Sequence, residues 1–135
     1  MERMQNSELV GVLEDFTDEL LWMSETDAPF EVFHWEGLGN LTEQQLLERT
    51  QHALDTTVEV VPFDDFFAAS IEDQDWFEAE EKAVTARYRS LVHTLKQHLS
   101  DLRVYRVGEV NLDLYIVGRM DKEGIIGLAT QAVET

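Results

Sequence analysis

The sequence predicts an α+β domain or a three-layer α/β/α sandwich, with a mixed, mostly antiparallel sheet. Helical and strand patterns alternate along the first two thirds, giving helix, strand, helix, strand, helix; three strand patterns with short connections then close the chain. A content of 44% hydrophobic residues with only two prolines and seven glycines suits a packed core without a linker. Residues 1–135 therefore read as a single domain.

Leu9, Leu13, Phe16 and Leu20 recur at helical steps, with Glu14, Asp15, Asp18 and Glu19 between them. This amphipathic helix starts near Asn6 or Ser7, both capping residues, and Glu8 sits where the helix dipole favours negative charge. "MSETDAPFEVFHWEG" then joins the end of that helix to a strand, "FEVFHWE", and Pro29 opposes continuation of the helix. The joint carries Ser24, Glu25 and Asp27, where turn formers alone would suffice.

"LTEQQLLERTQHAL" opens with a capping box of Thr42 and Gln45, stapled by Leu41 and Leu46. Val58 to Val61 read as a short β-branched strand ended by Pro62, and "DDFFAAS" as a helical turn or two. From Asp73 to Leu102 the pattern is a long helix with an apolar stripe of Val84, Tyr88, Leu91, Leu95 and Leu99. Asp73, Asp75 and Glu78 lie at its start, and Lys96 and His98 near its end, as the dipole prefers. "VYRVGEVNLDLYIVG" supplies two strands turning at Gly108, with Val110, Leu112, Leu114 and Ile116 on one face. "MDKEG" is a turn and "IIGLATQAV" the final strand.

Twenty-eight acidic against ten basic residues give a net charge of −18. Such a chain repels phosphate backbones and anionic lipid faces, so nucleic-acid and membrane binding are disfavoured, and a basic partner or a cation is favoured. The bland counterpart is that excess acid merely keeps a small protein soluble. Without cysteine there is neither a disulfide framework nor thiolate chemistry, and no segment has the pattern of a leader or a membrane span, so a soluble cytoplasmic protein is expected.

Motifs for catalysis are wanting. There is no phosphate-cradling glycine loop, zinc spacing or nucleophile elbow, so no enzyme and no cofactor are expected. His93 and His98, five apart on one helix, do not share a face and read as solvated, while His34 reads as a core or interface histidine. The acidic run "DDFFAASIEDQDWFEAEE" fails the EF-hand pattern, because Trp76 and Phe77 follow Asp75 where a further oxygen ligand and a glycine are needed. Its carboxylates suit either a solvated helix start or a mimic of a polyanion. Glu109 with Asp113, or Glu123 with Glu134, are carboxylate pairs that an acidic chain produces by chance. At the C-terminus, Thr135 follows Glu134 directly after the last strand and offers a second carboxylate there.

"LLWMSETDAPFEVFHWEG", "DWFEAEEKAV", "VYRVGEVNLDLYIVG" and the terminal "VET" resemble the nuclease A inhibitor family, in the same order and across nearly the whole chain. The resemblance implies a pathogenesis-related-protein-like sandwich. It also implies an inhibitor that binds a sugar-nonspecific endonuclease of the ββα-metal class one to one, and is a monomer when free. Glu25 and the carboxylate of Thr135 are then the groups that reach the region of the enzyme's Mg²⁺, with Ser24 and Glu134 beside them. Trp76 is a possible anchor, although its apolar neighbours, like those of Trp22 and Trp35, favour core packing. Two other classes fit the same chain: an acidic binding module for another basic protein, and a small hydrolase or metal-binding protein.

Overall fold

The computed structural model describes residues 6–36, 41–120 and 124–134. Helix α1 runs from Asn6 to Thr17 and buries Leu9 and Leu13 completely. It stops earlier than the apolar period predicts. Thr17 turns its hydroxyl back to the carbonyl of Leu13 (2.8 Å), and Glu19 takes a φ of +62°, which no helix continues. The last turn of α1 holds no basic residue, but Arg87 arrives from a distant helix and donates to the carbonyls of Phe16 (2.9 Å) and Asp18 (2.6 Å).

The chain then forms a hairpin that periodicity did not reveal: β1 (Leu21–Met23) pairs antiparallel with β2 (Asp27–Pro29), leaving Ser24, Glu25 and Thr26 at the tip. The expected helix-to-strand corner at Glu25 is thus the tip of a β-hairpin. Tyr88 donates to the carbonyl of Leu21 (2.6 Å) and so ties this hairpin to the helical layer; burial pushes its phenol far above the ordinary value.

The main sheet has the order β3-β7-β6-β5-β4, with β3 at Glu31–Glu36, β4 at Val58–Pro62, β5 at Ser100–Val107, β6 at Asn111–Arg119 and β7 at Gly124–Val133. Every neighbouring pair is antiparallel. Gly108, at φ +113°, makes the β5–β6 turn; a Cβ there would lie 2.5 Å from the carbonyl oxygen of Asn111. Val110 belongs to this turn and is exposed, so the shared apolar face begins at Leu112.

Strand alternation divides the apolar residues between the two faces of the sheet. Val104, Ile116, Ile126 and Leu128 pack with Leu9 and Leu13 of α1, Phe63 and Phe67 of α3 (Phe63–Phe67), and Tyr88, Leu91 and Leu95 of α4 (Ala79–His98). Their neighbours Tyr105, Tyr115, Val117 and Ile125 pack instead with Leu46 and Leu47 of α2 (Glu43–Arg49).

Helix α2 starts at the predicted box: the Gln45 amide donates to Thr42 Oγ1 and the Thr42 amide to Gln45 Oε1, both at 3.1 Å. Thr42→Ala removes one half of that exchange and is expected to cost about 1 kcal/mol in urea denaturation.

Helix α4 is shorter than the segment Asp73 to Leu102. It begins after Glu78, whose amide donates to Glu81 Oε2 (2.8 Å) in a capping box of its own. Asp73 lies outside it and faces Arg89 at 3.5 Å. The buried face of α4 comprises Thr85, Tyr88, Leu91, Val92, Thr94 and Leu95, while Val84 is exposed, so the stripe is rotated by one residue at its start. Beyond Leu99, Asp101 takes a φ of +52° at the bulge that opens β5.

Candidate functional site

The tip of the β1–β2 hairpin is stitched to the end of β7, 109 residues away. Ser24 Oγ accepts from the Val133 amide at 3.0 Å and also donates to the Thr26 carbonyl at 3.0 Å. The Glu25 amide donates to the Val133 carbonyl at 3.4 Å, so both polar backbone groups of Val133 are bonded to the hairpin tip. Further back, Thr130 donates to the Pro29 carbonyl at 2.9 Å, fixing β2 on β7 at a second point. Three amide and hydroxyl donors therefore hold the hairpin of Glu25 on β7.

A cavity of about 560 Å³ opens at this junction, lined by Ser24, Glu25, Asp65, Arg106 and Glu134 over a floor that includes Phe66 and Leu114. Three carboxylates face it against one guanidinium. Ser24, Glu25 and Glu134, singled out in the sequence, are thus brought together. Thr135 lies outside the described residues, as do Met1 to Gln5, Gly37 to Asn40 and Asp121 to Glu123.

Trp76 is elsewhere, and the expectation of core packing fails for it: it is 71% exposed, with its edge against Phe77. The reason is the late start of α4, which leaves Trp76 in the turn before the helix instead of on its buried face. Together with Leu21, Met23 and Val84 it borders a second, more apolar cavity of about 410 Å³, which shares Trp22, Met23 and Phe66 with the first. Met23 is 74% exposed there. Trp22 does pack as expected, stacked on Phe66 at 4.3 Å, and Trp35 lies against Phe33 with Arg49 over its ring.

Sequence reasoning missed Arg106, which ion-pairs with Glu134 through Nη2 and with Glu59 through Nη1 (3.5 Å). It also missed a polar relay on the opposite face. His52 Nδ1 lies 2.6 Å from Thr50 Oγ1, and Nε2 lies 2.7 Å from Asp113 Oδ2, whose other oxygen accepts from Gln131 at 3.3 Å. This relay pins the segment after α2 to β6 and β7. Burial, and then the Asp113 carboxylate, push the Tyr115 phenol above its ordinary value beside it.

Of the two carboxylate pairs, Glu109 accepts from Thr57 and Asp113 is engaged by His52, while Glu123 of the other pair lies outside the described residues. His93 is exposed. Among the described residues no group of three or more His, Asp or Glu is placed to hold a metal ion, and no helix is long and apolar enough to cross a membrane.

An acidic cavity on an ordered corner, flanked by an exposed apolar ledge, has the makings of a recognition surface for a cationic target. Residues 7–135 match the family model described as nuclease A inhibitor-like protein, and the chain belongs to that family. The family points to a nuclease inhibitor, a protein that acts by binding. The comparison with curated proteins finds no match.

Proposed function

We propose that this protein binds a sugar-nonspecific DNA and RNA endonuclease of the ββα-metal class one to one and occludes its active site, without catalysis of its own. Glu25 and the carboxylate of Thr135 enter the region of the enzyme's catalytic metal, where a substrate phosphate would lie. Ser24 and Glu134 hold and flank them, and Trp76 meets the rim of the cleft. The free protein is a cytoplasmic monomer of one domain, needs no cofactor, and binds neither nucleic acid nor membrane.

The observation that carries this reading is the bond between Ser24 and Val133, because it unites Glu25 with the approach to the chain's end in one rigid corner. An anion ordered before binding loses less entropy when it docks. The charge of −18 adds speed: a cleft that attracts nucleic acid attracts this surface as well.

The test is a titration into a magnesium-dependent ββα-metal nuclease digesting plasmid, with an unrelated metal-dependent nuclease alongside. A chain extended past Thr135 serves as the blocked control. Stoichiometric loss of activity in the first enzyme alone is the expected result, with an association rate that falls about tenfold or more between low and physiological salt. Inhibition of neither enzyme by the folded protein would favour the acidic module for another basic partner.

A further inference from the structure

We propose that Arg106 is a positioning residue for inhibition: it braces Glu134, on the approach to the chain's end, so that this carboxylate meets the nuclease already ordered. This rests on the reading that the chain's end docks at the enzyme's metal region.

Arg106 lies on β5, two strands away from β7, and its guanidinium reaches along the cavity to Glu134 beyond the end of β7. Its other terminal nitrogen faces the exposed Glu59 on the edge strand β4 at 3.5 Å. The backbone of the same segment is tied on both sides, since the Glu134 amide donates to the Val110 carbonyl (3.0 Å) and the Val133 amide to Ser24 Oγ (3.0 Å). Terminal residues ordinarily fray. Here the last described residue is held by a backbone bond and a charge-assisted side-chain pair at once.

Charge alone does not account for Arg106. The cavity presents Glu25, Asp65 and Glu134 against this one cation, so the guanidinium weakens the negative potential that draws a nuclease in. Its contribution is geometric. Half-exposed ion pairs add little to global stability, so the brace acts on local order and leaves the fold's midpoint where it is.

The experiment compares wild type with Arg106→Gln, Arg106→Lys and Glu59→Gln. Amide hydrogen exchange is read at Val133 and Glu134, and association and dissociation rates are measured against the ββα-metal nuclease. Arg106→Gln is expected to speed exchange at Glu134 and dissociation by about tenfold each, with association and the thermal midpoint unchanged. Arg106→Lys should recover part of both, because a single ammonium replaces the fork. Glu59→Gln, which spares the pair with Glu134, should change neither by more than about twofold. Unaltered exchange in Arg106→Gln overturns the brace. Faster exchange with unaltered dissociation overturns its role in inhibition. If the wild-type chain binds no nuclease, the inhibitor reading fails instead, and the exchange comparison alone decides whether Arg106 orders the chain end.

Discussion

Glu25→Gln is expected to weaken inhibition about a hundredfold, a loss of ~2.7 kcal/mol, nearly all of it in a faster dissociation rate. The substitution keeps the size of the side chain and removes its charge. It leaves the bonds that shape the hairpin tip, because those run through the Ser24 hydroxyl and the backbone of residues 24 to 26 and Val133. A change in affinity at an unchanged thermal midpoint therefore reports the carboxylate. The size follows from desolvation: a cationic group sealed beneath the inhibitor and deprived of its counter-charge costs more than a lost surface contact. The measurement is the inhibition constant for the ββα-metal nuclease, with circular dichroism and thermal midpoint as controls. A constant within threefold of wild type would return Glu25 to ordinary loop charge.

The same mutant separates steering from contact. One charge out of a net −18 alters the long-range field little, so the association rate should fall less than threefold while dissociation rises. A loss confined to association would place Glu25 at the rim, where charges guide encounter without being buried.

What was legible in the sequence follows from how local each determinant is. The capping box at Thr42, the antiparallel strands around Gly108 and the buried period of α1 at Leu9 and Leu13 and of α4 from Tyr88 onward are set by nearby residues and were read correctly, Val84 being the exception. The end of α1 was not, because Leu20 continues the helical period although it lies in the turn that follows. The residues that end the helix are the strained Glu19 and an arginine 69 residues from the carbonyl of Asp18 that it caps. The start of α4 misled in the same way, since acid at 73 and 75 suits a helix dipole equally well inside the first turn or just before it. Glu25 drew notice at the joint after α1 and through the family's blocks. Its meeting with Glu134 depends on β7 passing behind the hairpin, and no spacing in the sequence encodes that. Arg106 was hidden for the same reason, being one of several arginines until the sheet order places it opposite Glu134.

Gly127→Ala tests the sheet that supports this corner and is expected to destabilise the protein by about 3 kcal/mol. Gly127 lies midway along β7, paired with Phe33 on one side and Val117 on the other. A Cβ placed there would fall 2.4 Å from Phe33 Cζ and 2.6 Å from the carbonyl oxygen of Ile116. The second of these is backbone in a central strand and has nowhere to move. The ring is hardly freer, because Phe33 packs at 4.5 Å on Trp35 and edge-on to Tyr115 at 6.4 Å. Glycine costs a strand conformational entropy, and at this position the close approach of the aromatic ring is what it provides in return. Urea denaturation of Gly127→Ala should show a lower midpoint with an unchanged slope, and in a Phe33→Leu background the same substitution should cost less, since part of the clash is gone. A loss below about 1 kcal/mol would mean that the ring swings aside at little cost. Because Gly127 is six residues from Val133 and lines neither cavity beside the hairpin, folded Gly127→Ala should inhibit as wild type does. Glu25→Gln should show the reverse: full stability with lost inhibition. That opposition separates the scaffold from the surface it presents.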